Sequence, residues 1–142
     1  MFNSTHFHPM LVHFPIALIM VGFLFDVLSL FRKNEPCLSR AGFWLLILGM
    51  AGAIVAFGTG YFLTSPMEGE AGAMREKHEL FATMALVSIV VTALFRTVAI
   101  YLDKKTSGIR YTLLGLYFIS FVFISVTGYL GGSLVMDYLI GL

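Results

Sequence analysis

Four apolar runs, separated by short polar segments, set the pattern of the chain. They cover residues of about 9–31, 41–63, 78–102 and 111–130, each near the roughly 20 residues a helix needs to cross a hydrocarbon core. Lipid cannot satisfy an open sheet edge, so the spans are predicted to be helices. The expected architecture is all-α: one four-helix transmembrane domain over residues 1–142. Pro9 and Pro15 fall near the start of the first span, where a missing N–H costs least.

The runs also repeat. His13 is followed by Leu30-Phe31-Arg32, and His78 by Leu94-Phe95-Arg96. Thr59-Gly60-Tyr61 closes the second run and Thr127-Gly128-Tyr129 the fourth. This predicts two similar helical hairpins related by a pseudo-two-fold axis along the membrane normal, each supplying one histidine at the same depth.

Composition agrees with the membrane class: 58% of the 142 residues are hydrophobic and 12% charged. A soluble domain of this size could not hide so much apolar surface. The net charge of +1 gives no footprint for nucleic acid. The single cysteine, Cys37, excludes an intramolecular disulfide and a cysteine-cluster metal site. No Lys or Arg precedes the first run, so it is read as a retained helix rather than a cleaved signal.

Charge in the loops predicts orientation. Arg32, Lys33 and Arg40 follow the first run, and Lys104, Lys105 and Arg110 follow the third; the middle loop carries Arg75 and Lys77. Six cations against two place the first and third loops in the cytoplasm of a bacterial inner membrane. Both termini and all four histidines then face outward. Trp44, Tyr61 and Tyr129 read as interface anchors.

Paired imidazoles from facing helices are a common way for a bundle to hold haem iron. His13 and His78, as equivalents in the repeat, are therefore the expected axial ligands of a haem b near the outer leaflet. Ala17, Ala82, Gly60 and Gly128 are the small neighbours that would let a flat ring approach, with Arg75 near its propionates. Both axial positions being filled, the expected role is electron transfer rather than catalysis on a substrate. His6 and His8 read as interfacial or supporting residues, His8 being the less favoured ligand. Each histidine also has a plainer reading, as a side chain that merely reaches the interface.

Two other readings compete. His6, His8, His13 and His78, with Glu79 or Asp137, form a copper or zinc set, although the five residues from His8 to His13 do not share a helix face. Alternatively the chain is a structural subunit of a respiratory membrane complex. Self-association is compatible with either. Asp26 and Arg96 are costly inside a membrane, and a mutual ion pair is the simplest way to accommodate them.

The opening stretch His8-Pro9-Met10-Leu11-Val12-His13-Phe14-Pro15 resembles the signature of a family of small bacterial membrane proteins known as domain of unknown function 2231. His78 in Arg75-Glu76-Lys77-His78-Glu79 and the ending Gly128-Tyr129-Leu130-Gly131-Gly132 fit the same resemblance, which spans nearly the whole chain. It implies a four-helix membrane fold. The family's association with cytochrome c and Rieske domains implies an outward-facing redox partner. Ser133 stands where that ending usually continues with an acidic residue.

Overall fold

The computed structural model describes residues 7–32, 35–64, 66–104 and 106–139. Its helices are α1 (Phe7–Phe31), α2 (Pro36–Leu63), α3 (Gly69–Tyr101) and α4 (Ser107–Ser133), with a π-helical turn at Leu134–Leu139. All four α-helices are long and apolar enough to cross a membrane. The all-α, four-helix prediction is what the structure shows.

The helices outrun the apolar runs where polar residues continue a helical backbone. Pro36 opens α2, a position where its fixed φ suits the first turn. Gly69 turns the chain into α3 with a φ of +65°, a conformation that glycine adopts without strain. Ala71, Ala73, Met74, Arg75, Glu76 and Lys77 are good helix formers, and they carry α3 back ahead of the span predicted from residue 78. His78 consequently stands inside a helix rather than at its head.

The chain travels round the bundle in order. α1 packs most extensively on α2 and α3 on α4, while α4 closes against α1 and α2 against α3. That leaves α1 and α3 diagonal to one another. Between the helices lie Ile19, Leu46, Ala85, Ile89, Ala93, Tyr117 and Ile124. Thr92 and Ser120, buried among them, share a hydrogen bond of 3.2 Å between their hydroxyls. Many large apolar residues turn outward, as helices that cross a membrane would have them, and Trp44, Tyr61 and Tyr129 are all strongly exposed.

The repeat is real but has a different register. Along α1 and α3, buried Pro15, Ile19 and Gly22 match buried Ala85, Ile89 and Thr92, each 70 residues apart. The same step pairs His8 with His78 and Asp26 with Arg96. Along α2 and α4 the step is 68 residues, which aligns Thr59 with Thr127 and buried Ala56 with buried Ile124.

Candidate functional site

At one end of the α1–α3 diagonal, the imidazole of His78 meets that of His8. Their ring centroids are 6.4 Å apart and their planes stand at 79°. His13, expected in this place, is elsewhere: it lies exposed on the outside of α1, with Nδ1 2.7 Å from the Pro9 carbonyl of its own helix. The reason is helical phase. Five residues after His8, a side chain has turned well away from the seam that His8 faces.

The two paired rings are held in the same way. His8 Nδ1 lies 3.1 Å from the Thr59 hydroxyl oxygen, whose own hydrogen goes to the Ala56 carbonyl at 2.9 Å. The hydroxyl therefore accepts, and His8 carries its proton on Nδ1. His78 Nδ1 lies 3.2 Å from the Thr127 carbonyl, which can only accept, so His78 has the same tautomer. Each Nε2 keeps its lone pair. This is how helix oxygens hold a histidine whose second nitrogen is a ligand.

Glycines let the neighbouring helices close on the rings. A Cβ on Gly60 would fall 2.9 Å from His8 Cε1, and one on Gly131 would fall 3.1 Å from His78 Cε1. These residues let α2 and α4 lie against the imidazoles. Gly128 instead packs against Ile16, where a Cβ would be 3.1 Å from Cδ1. Ala17 is exposed on α1, and Ala82, one turn after His78 on α3, is half-buried. Arg75 donates to Glu79 at 2.9 Å along α3. His6 lies outside the described residues. Thr59 and Thr127 are the members of the site that sequence reasoning left without a role, although the twin Thr-Gly-Tyr motifs pointed at both.

The other end of the diagonal holds the ion pair expected of Asp26 and Arg96. Arg96 Nη1 donates to Asp26 Oδ2, and Nη2 donates to Oδ1 at 2.8 Å. Nη2 also reaches the Ser39 carbonyl at 2.8 Å and its hydroxyl at 3.3 Å. The guanidinium carbon stands 5.8 Å from the centre of the Phe43 ring. Gly42 gives the carboxylate room, since a Cβ there would lie 2.5 Å from Asp26 Oδ1. Beside them Arg110 donates to the Ser29 carbonyl at 2.7 Å, tying α4 to α1.

What the donor atoms can hold follows from their number. Two imidazoles with free Nε2 lone pairs furnish two nitrogens for one metal ion. Among the described residues no group of three or more His, Cys, Asp or Glu could hold a metal ion. A tetrahedral zinc site made wholly of protein ligands asks for more donors than this pair. A macrocycle that brings four equatorial nitrogens does not. Gly58 and Gly132, near the same end, have open space where a Cβ would be.

Fold and site together define a four-span membrane bundle with a paired-imidazole centre at one end. Over residues 5–142 the chain matches the family described as predicted membrane protein (DUF2231), and it belongs to that family. No curated protein and no solved structure matches it.

Proposed function

We propose that this protein is a b-type haem electron carrier of the bacterial inner membrane, in which His8 and His78 would hold the haem iron. The observation that carries this reading is the pair of facing imidazoles, both anchored through Nδ1 and neither with a hydrogen bond on Nε2 among the described residues. His8 replaces His13 in the ligand set because only His8 shares the seam with His78.

When bound, haem supplies a one-electron couple whose potential is set by its ligands and their surroundings. The chain's own residues fix the tautomers through Thr59 and the Thr127 carbonyl, and Gly60 and Gly131 set the depth of each ring. With both imidazoles committed to one iron, no protein-side position is left open for oxygen or substrate, which favours transfer over catalysis. The cations of the first and third loops support a cytoplasmic ion-pair end and an outward histidine end. An outward-facing redox protein, such as a cytochrome c or a Rieske domain, is the partner that fits this orientation.

An optical spectrum of the purified protein tests the reading, oxidised and then reduced, with haem quantified as its pyridine adduct. The expected result is a Soret band that shifts on reduction with sharp α and β bands. Both His8→Ala and His78→Ala should lose them. A featureless spectrum from cells supplied with haem would sink the proposal. Elemental analysis for copper and zinc then tests the simple-ion reading.

A further inference from the structure

Two hairpins built on one pattern face a problem of self-recognition, because each carries a seam that resembles its partner's. Ile19 and Ile89 are equivalent and both fully buried. His8 and His78 are equivalent and face one another. On these features alone, a hairpin could pair with a copy of itself as well as with its partner.

Two positions break the likeness in the same sense. Asp26 and Arg96 are equivalent, 70 residues apart, and of opposite charge. Their side chains are 12% and 9% exposed, so each needs the other. The second difference is one of size. Tyr117 of α4 is fully buried with its hydroxyl against Gly22 of α1, so that any Cβ at residue 22 would collide with it. The equivalent of Tyr117 in α2 is Gly49, and the equivalent of Gly22 in α3 is Thr92.

We propose that the Asp26–Arg96 pair and the Tyr117–Gly22 contact make the two hairpins complementary to each other and incompatible with their own kind. Two α1–α2 hairpins would set Asp26 against Asp26 with no cation, and would leave a hole where Gly49 replaces the tyrosine over Gly22. Two α3–α4 hairpins would bury Arg96 against Arg96 and drive Tyr117 into Thr92. Both wrong pairings put like charges in low dielectric, where their repulsion is barely screened. The short link of residues 64–68 then delivers the right hairpin at high effective concentration. The surface on each hairpin is thus an interface whose fitting partner is the other hairpin type. This pairing of seams does not depend on the haem reading.

The test uses the full-length protein in detergent, carrying Asp26→Arg, Arg96→Asp or both changes together. Each single change should sharply reduce the yield of monodisperse protein and lower its melting temperature, because it creates a like-charged seam. The double change restores an oppositely charged pair, though not the bonds of Arg96 to Ser39, and should melt well above either single change and keep the parent's mass. A double variant no better than the two singles would overturn the proposal. Co-expression gives a second measurement, with the two single variants carrying different tags. Each variant then has a seam of one sign, cationic for Asp26→Arg and anionic for Arg96→Asp. Opposite charges therefore meet only between chains, and of those pairings only a hairpin of one variant with the other hairpin type of the second also keeps Tyr117 over Gly22. Reciprocal copurification above that of two tagged parents supports the pairing code. If the double variant recovers only because position 26 tolerates any charge, Asp26→Arg alone will already behave like the parent, and that result also overturns it.

Discussion

The two ends of the α1–α3 diagonal use the same positions of the repeat to opposite effect. At one end like meets like: His8 and His78 face each other with no hydrogen bond between them, because each has spent its proton on a helix oxygen. At the other end unlike residues meet, and Arg96 donates to both carboxylate oxygens of Asp26 and to Ser39. A pair that leaves lone pairs over is disposed to take a third party. A pair that leaves none is closed, and serves the fold. The contrast separates a site from a fastener within one symmetric framework.

Removing one member of the closed pair should have the largest effect. Arg96→Met leaves a buried carboxylate without its paired cation, which costs about 3–5 kcal/mol. Thermal unfolding in detergent should show a large fall in midpoint. Asp26→Leu/Arg96→Leu, by contrast, removes both charges and should be far less damaging, because hydrophobic replacement of a buried pair is often neutral or stabilising. Equal losses in the two variants would mean that the ion pair is not what these residues contribute.

Crowding the fastener is the next test. Gly42→Ala pushes a methyl into the space of the Asp26 carboxylate. Overpacking of this kind costs about 1–3 kcal/mol. A melting curve for the variant unchanged from the parent would show that α2 can withdraw freely, and that the carboxylate is not clamped. The alanine should leave the absorption spectrum untouched, since it lies at the closed end.

At the open end, the expected effects fall on binding rather than folding. Thr59→Val keeps the shape of the side chain but removes the oxygen that accepts from His8 Nδ1. Losing such a support typically lowers affinity for a ligated metal by about 10–100-fold. Haem titration into apoprotein measures this directly. An unchanged affinity would show that His8 needs no anchor, and would weaken the ligand assignment.

How far the sequence could lead depends on the kind of information each feature carries. Run length and lipid physics are enough for four helices, and the cost of buried charge is enough to pair Asp26 with Arg96. The register of the repeat was not legible in the same way. Leu30-Phe31-Arg32 and Leu94-Phe95-Arg96 align His13 with His78 to within one residue, yet in the fold Arg96 matches Asp26. A short tripeptide match cannot outvote the buried faces, which appear only once the helices pack. The signal that would have found His8 was present: the step from His8 to His78 equals the step from Asp26 to Arg96. Thr127 offers its backbone carbonyl rather than its side chain, which no residue type announces. The polar start of α3 is equally hidden, because hydropathy detects the lipid-facing part of a helix and not its extension into water.

The smallest expected effect falls on the residue that the sequence favoured. His13 is exposed, and its one hydrogen bond returns to Pro9 within its own helix. His13→Ala therefore removes no contact between helices, and surface substitutions of this type stay within about 0.5 kcal/mol. Its haem content and reduced spectrum should match the parent, while His8→Ala loses both. The contrast is strict because the two histidines lie on one helix, five residues apart, and differ in phase. If His13→Ala emptied the protein of haem and His8→Ala did not, the ligand would lie on the outer face of α1. The open end of the diagonal would then be only a packed pair of rings.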